Sequence, residues 1–175
     1  MLAEVFKNGG DALQTCMHRI FNAAWRQGRM QEAWKKAIIC PIYQRKGDKA
    51  DYGSYRGILL LRHSTKIYKR TLEQRLRNHI EQKLGEWQHG FRPNRSTSDL
   101  FFSMKMILEK TWEFNDQTYP VYPNFENAFD RVPRPKLWQV MQHAEYGVPP
   151  MLVRVVRCMY RECKSSVRSA YREGL

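Results

Sequence analysis

The chain has 175 residues, 42% hydrophobic and 13% aromatic, enough for one sizeable core or part of a larger domain and too much for a disordered polymer. No apolar run approaches the roughly 20 residues that span a bilayer and no secretory leader opens the chain, so an intracellular, non-secreted protein with no membrane partner is expected. Its net charge of +13 is concentrated: residues 35 to 95 carry fifteen Lys/Arg against five Asp/Glu, a net of +10, which suits a polyanion such as nucleic acid, the alternative being a solvated basic face.

In chain order, Leu13, Cys16, Met17, Ile20, Phe21, Ala24 and Trp25 follow helical spacing, and Gly28 is placed to end that helix. His18 on it reads as a surface or core-edge histidine. Residues 37–43 form a short apolar run, and 55–61 form another. Between them lies the polar, turn-rich stretch from Gln44 to Ser54, so the three together predict a β-hairpin with a charged tip. Lys46, Lys49 and Arg56 on it would meet phosphates if anything bound there.

His63-Ser64-Thr65 opens a second helix, with Ser64 or Thr65 as its cap and Ile67, Tyr68, Leu72, Leu76 and Ile80 as its buried stripe. Lys66, Lys69, Arg70, Arg75 and Arg77 ride on its other faces, and Gly85 ends it. In the next segment Gly90 and Pro93 fix a turn. Ser96 or Thr97 then caps a helix with the apolar stripe Leu100, Phe101, Met104, Ile107 and Leu108. Arg92 and Arg95, just ahead of that helix, put cations beside free N–H groups, a phosphate-binding arrangement; the alternative is that both only solvate a loop.

The stretch from Tyr119 to Val132 reads as a short strand running into a turn and a helix, with acidic and aromatic side chains where the strand stops. Pro120 and Pro123 fit a central strand badly, since each lacks an N–H. Beyond it the sequence predicts a helix from Pro135 to Tyr146, a proline-opened helix from Pro149, and a strand from Lys164 to Tyr171. Cys16, Cys40, Cys158 and Cys163 have neither CxxC spacing nor a nearby His pair and read as free thiols in a reducing compartment.

Several ordered blocks together carry a resemblance. Ile39-Cys40-Pro41-Ile42-Tyr43, Lys46-Gly47-Asp48-Lys49, Tyr55-Arg56-Gly57-Ile58, the run from Gly90 to Thr97 and the run from Asn124 to Pro133 resemble the reverse transcriptase domain of non-LTR (LINE-type) retrotransposons. The resemblance covers nearly the whole chain. It implies an α+β fold, a partial right-hand polymerase that is helix-rich, with a β-hairpin and an incomplete palm sheet. Residues 1–118 would be a fingers-like region with the basic hairpin and a template-side segment. Residues 119–175 would be a partial palm with the first catalytic strand, two helices and a terminal strand.

Carried over residue by residue, Arg45, Lys46 and Arg56 match positions that bind the incoming nucleotide's phosphates, Arg45 being able to stand in for Lys46. Gly90, Phe91, Arg92 and Arg95 fall in the template-binding segment. Phe129 matches the bulky gate that crowds a ribose 2′-OH. Asp130 holds a structural position, pairing with Arg131 or capping the following helix. The family's partners are an RNA template and a DNA primer, and its cofactor is magnesium.

The metal-binding aspartate of the first palm motif is here Asn124. Nucleotidyl transfer uses two metal ions to stabilise the attacking and leaving oxygens, and magnesium wants anionic oxygen. Losing one charge at about 4 Å and an effective dielectric near 20 is worth about 4 kcal/mol. If all of it were transition-state stabilisation, the rate would fall about 10³-fold. The paired aspartates that complete the site lie further on in the family, and no Asp-Asp pair occurs in this sequence. The expectation is a nucleotidyltransferase relative that is inactive on its own, with no metal held tightly and magnesium not bound productively. The alternatives are a non-catalytic RNA- or DNA-binding module and a repurposed protein-interaction domain.

Overall fold

The computed structural model describes residues 3–125 and 128–168. Its elements are α1 (Ala3–Asn8), α2 (Gly10–Gln27), β1 (Lys36–Tyr43), β2 (Tyr55–Leu60), α3 (His63–Ile80), α4 (Thr97–Glu113), α5 (Arg134–Gln142), α6 (Pro150–Cys158) and β3 (Lys164–Val167). Short 3₁₀ turns lie at Glu32–Trp34, Tyr52–Ser54 and Glu81–Lys83. The chain packs as two units, one from Met1–Leu76 with Val148–Leu175, the other Arg77–Gly147, so the break falls in the last turn of α3. These units cut across a boundary at residue 118, which marks an expected functional division, not a packing one.

In the first unit the hairpin forms as its sequence predicts. β1 and β2 pair antiparallel from Ile38↔Leu60 to Tyr43↔Tyr55. β3 adds to the other side of β1, in parallel, from Lys36↔Lys164 to Ile39↔Val167, giving the order β2-β1-β3. The terminal strand therefore joins the hairpin, and among the described residues there is one sheet and no separate palm sheet. Expected strand residues beyond Arg168 lie outside the described residues. Pro41 is tolerated in the central strand for a reason of parity. Lys35 and Ile39 carbonyls accept from Lys164 and Arg168, so odd-numbered groups face β3, and Pro41 lies past the described register on that side.

The core of this unit is built by α2, α3 and α6. Leu152, Val153 and Val155 of α6 are at most 2% exposed, each burial contributing about 1.5–3 kcal/mol. Phe21, Trp34 and Tyr68 meet edge-on or tilted, with ring centroids 5.1–5.7 Å apart. Gly28 ends α2 in the left-handed conformation, φ 59°, and its N–H reaches the Ala24 and Trp25 carbonyls. It also lets α6 approach: Cys158 Sγ donates to the Gly28 carbonyl at 2.7 Å, and Arg154 donates to Gln27 at 3.3 Å. A Cβ on Gly28 would sit 2.6 Å from Arg154 Nε. Lys35, held protonated above its usual range by hydrogen bonds to Glu32 and Glu162, ties the segment before β1 to the turn before β3.

Helix α3 starts at His63, so Ser64 and Thr65 lie inside its first turn and neither is the cap; Lys66 N–H donates to the Arg62 carbonyl instead. Thr65 turns inward, 1% exposed. Its hydroxyl and the Tyr68 hydroxyl are buried and have no hydrogen-bond partner among the described residues. Each such group costs about 1–3 kcal/mol of desolvation. Burial pushes the Tyr68 phenol up to about 12.

In the second unit, α4 is helical as its periodicity predicts, but its apolar stripe is uncovered. Leu100, Phe101, Ile107 and Leu108 are 44–70% exposed and no residue of α4 is buried. A stripe at helical spacing reports that a surface wants covering, not that the chain supplies the cover. The segment 116–125 is neither helix nor strand. The expected strand fails where Pro120 and Pro123 remove ladder donors, and no described strand lies alongside. No described helix is long and apolar enough to cross a membrane.

Candidate nucleic-acid interface

Each unit carries one of the segments that the sequence marks for phosphate or base contact. In the first, the hairpin tip from Gln44 to Ser54 is ordered by its own hydrogen bonds. Gln44 N–H donates to the Ser54 carbonyl at 2.9 Å, and Tyr43 Oη donates to the Gly47 carbonyl at 2.7 Å. Tyr55 Oη reaches the Lys49 carbonyl at 3.0 Å, while Asp48 and Asp51 carboxylates accept from Ala50 and Gly53 N–H groups. Gly47 adopts φ 80°, and a Cβ there would meet Ser54 Oγ at 2.6 Å, so both its conformation and its neighbour demand glycine.

With the acidic side chains turned onto backbone, the cations are left outward. Arg45, Lys46, Lys49 and Arg56 are all exposed, and none forms an ion pair among the described residues. Lys49 lies 5.9 Å from the Tyr43 ring centroid. Arg45 takes φ 57°, in the left-handed region that non-glycine residues rarely adopt. The structure thus leaves all four cations that the sequence marks, Arg45, Lys46, Lys49 and Arg56, exposed on the hairpin and its tip. Lys69 of α3 is half-buried, and that burial lowers its pKa.

In the second unit, the loop between the Glu81–Lys83 turn and α4 separates two arginines that sequence reasoning treats alike. The Arg92 side chain is 8% exposed. It donates to Glu81 Oε1 at 2.9 Å, the Gly85 carbonyl at 2.9 Å and the Gln88 carbonyl at 3.3 Å. Those bonds engage Nε and Nη1 of a side chain that is 8% exposed, so Arg92 shapes the loop from inside. Arg95 pairs with Glu86, which is 80% exposed, and keeps 31% of its own side chain in solvent. Arg77 donates to the Phe91 carbonyl at 3.0 Å, holding Phe91 at φ 62° with its ring 85% exposed.

Gly90 is exposed, with open space around it. Ser96 closes the loop with a capping box: its hydroxyl accepts from Asp99 N–H at 3.2 Å and the Asp99 carboxylate accepts from Ser96 N–H at 2.7 Å. Those bonds, the backbone one first, hold Asp99 below the usual carboxylate range.

Phe129 is 81% exposed and stands edge-on to Phe91, ring centroids 6.2 Å apart at 83°. The proposed gate and the proposed template-side aromatic are therefore neighbours, although 38 positions separate them in the chain. Asn124 is exposed. Asp130 does not cap the next helix, because α5 begins at Arg134 with Pro133 in the cap position. Glu126 and Asn127 of the motif lie outside the described residues.

The donor set does not fit a magnesium pair. Asn124 presents one neutral amide oxygen where a bridging anion is needed, and among the described residues no three His, Cys, Asp or Glu side chains gather to hold a metal. The four cysteines are free thiols.

The model of the family described as "Reverse transcriptase (RNA-dependent DNA polymerase)" matches residues 45–173, which takes in the cationic hairpin tip, the arginine loop and the Asn124 segment. The chain belongs to the reverse transcriptase family. It is 28% identical over 145 residues, 82% of its length, to the RNA-directed DNA polymerase from mobile element jockey of Drosophila melanogaster. It is 32% identical over 118 residues, 65% of its length, to the probable RNA-directed DNA polymerase from transposon BS of the same organism. The transposon TX1 uncharacterized 149 kDa protein of Xenopus laevis is 24% identical over 165 residues, 94% of this chain. These matches agree with the resemblance to non-LTR retrotransposon enzymes. The matched regions amount to 16%, 13% and 12% of those relatives, so this reverse transcriptase chain corresponds to a small part of each.

The sequence signalled the hairpin cations, Gly90, Phe91, Arg95 and Phe129 by motif. Lys49's place beside Tyr43 follows only from the folded tip. The internal role of Arg92 had no local signal, because Glu81 reaches it from eleven residues upstream.

Proposed function

We propose that the chain is a nucleic-acid-binding fragment of a LINE-type retrotransposon reverse transcriptase, catalytically inactive on its own. Residues 1–118 act as a fingers-like region that grips RNA or DNA, and 119–175 as a partial palm. The observation that carries this reading is the pairing of an exposed cationic tip, Arg45, Lys46, Lys49 and Arg56, with a neutral amide at 124. The cations supply backbone affinity, which is electrostatic and needs no metal. Phe91 and Phe129, side by side and exposed, supply a surface on which a base or sugar can rest. When present in the family's sites, magnesium neutralises developing phosphoryl charge; Asn124 lacks the anion to hold it.

Filter binding of a labelled single-stranded RNA across a salt series tests this. The reading predicts retention at low salt with log K falling linearly against log salt. Reversing charge at Arg45, Lys46 and Arg56 together should flatten that slope by about two, at roughly 0.7 for each phosphate that is no longer neutralised. Salt-independent retention, or a triple variant that binds like the parent, would sink it.

A second reading, a repurposed protein-interaction domain, draws on the uncovered apolar face of α4. Sedimentation of a monodisperse, ligand-free monomer at high concentration counts against it.

A further inference from the structure

The sheet of the first unit carries a second group of cations that its own packing does not balance. In the parallel ladder Lys36 stands in register with Lys164, so two lysines share one face on strands about 4.8 Å apart. Like charges set side by side on a sheet cost stability. The nearby acids do not relieve them, because Glu32 and Glu162 both turn to Lys35, 2.7 and 2.9 Å from its Nζ. Lys36, Lys164 and Arg161, next to Glu162 in the chain, are exposed and form no ion pair among the described residues.

Side chains alternate along β1, and the face that holds Lys36 continues through Ile38, Cys40 and Ile42. Across the antiparallel ladder it holds Leu60, Ile58 and Arg56, the last in register with Ile42. Ile38, Ile42, Ile58 and Leu60 are 42–51% exposed, so the face is open. It has a guanidinium at one end, two lysines at the other and an apolar floor between them. Arg56 and the lysine pair are separated by the run from Ile42 to Lys36, about 20 Å of strand. That pattern matches a single nucleic-acid strand laid lengthwise, with phosphates at the cationic ends and its sugars and bases over the isoleucines. A duplex would turn its bases away from that floor, and a run of acidic residues has charge but no ring to lay on it.

We propose that this face of the sheet is the track of a single RNA or DNA strand, running from Arg56 to Lys36 and Lys164 with Arg161 beside the far end. The inference rests on the nucleic-acid reading above and adds to it a second set of phosphate contacts outside the hairpin tip.

Fluorescence anisotropy of a labelled single-stranded RNA with the full chain tests it. The parent is compared with the triple variant Lys36→Gln, Arg161→Gln, Lys164→Gln and with the charge reversal at Arg45, Lys46 and Arg56. The glutamine variant should lower the slope of log K against log salt by about two, at roughly 0.7 per phosphate. Between about 50 and 200 mM salt the parent should therefore lose roughly 15- to 20-fold more affinity than that variant. Its melting temperature should be equal or higher, since like-charged neighbours are gone. Lys36→Arg with Lys164→Arg should bind like the parent, and in the parent bound RNA should slow acetylation of Lys36 and Lys164, read by mass spectrometry. A glutamine variant with the parent's slope, or lysines that react equally with and without RNA, would overturn the proposal. So would polyglutamate that displaces the RNA as well as unlabelled RNA does. A parent that binds no RNA would remove the nucleic-acid reading and this inference together. Binding weakened by the hairpin reversal but not by the glutamine variant would remove this inference alone.

Discussion

Replacing Arg92 by Ala should unfold the second unit far more readily than the same change at Arg95. Arg92 gives up three hydrogen bonds, one of them to a carboxylate, from a side chain only 8% exposed. Breaking a buried ion pair by removing one partner costs about 3–5 kcal/mol. Glu81 keeps 28% of its side chain in solvent and still has Arg77 at 3.7 Å, so about 2–3 kcal/mol is expected. For a domain of this size, each kcal/mol moves the melting temperature by about 4–8 °C, giving a fall of roughly 10–20 °C. Arg95, whose Glu86 partner is 80% exposed, should cost at most about 0.5 kcal/mol.

Thermal melts by circular dichroism, with hydrogen exchange of residues 84–96 read by mass spectrometry, measure both variants. Arg92→Lys should recover only part of the loss, since an ammonium cannot span Glu81 and two carbonyls as a planar fork does. Equal stability of Arg92→Ala and parent, or a larger loss at Arg95, would refute the assignment of Arg92 to the loop's interior.

Gly47→Ala should cost about 1–2 kcal/mol or more, from positive φ and the 2.6 Å approach of Ser54 Oγ, and should speed exchange at Ser54 and Gln44 in deuterium labelling. Ser96→Ala removes the acceptor for Asp99 N–H and should cost about 1 kcal/mol in urea unfolding. The Tyr68 phenol is raised in the fold to about 12 from 10.0, so it releases its proton sooner when unfolded. Its contribution is whole below pH 10 and is lost toward pH 12 at up to about 1.4 kcal/mol per pH unit, a decline that urea titrations should find absent in Tyr68→Phe.

Local chemistry made much of the fold legible. The hairpin is written in two apolar runs around a polar stretch, and α4 in Ser96, Asp99 and a 3.6-residue stripe. What escaped the sequence depends on distant parts of the chain. β3 could be foreseen as a strand, but its partner, β1, lies 128 positions upstream (164 − 36), and pairing at that distance leaves no local mark. Pro120 and Pro123 warned against a strand, and the backbone followed them instead of the motif around Asn124. Arg92 and Arg95 look equivalent three positions apart; Glu81 and the carbonyls of Gly85 and Gln88, brought round by the turn, separate them. The stacking of Arg75 on Trp25 could be seen only once α2 and α3 were packed together.

If position 124 lacks the charge to hold a metal, this reverse transcriptase relative should hold nucleic acid without extending it. Incubating the purified chain with a labelled DNA primer annealed to an RNA template, magnesium and all four deoxynucleotides, at chain concentrations that saturate binding, tests it most directly. The account predicts a retained primer of unchanged length. A primer lengthened by the parent chain and left unextended by Asn124→Ala would contradict it.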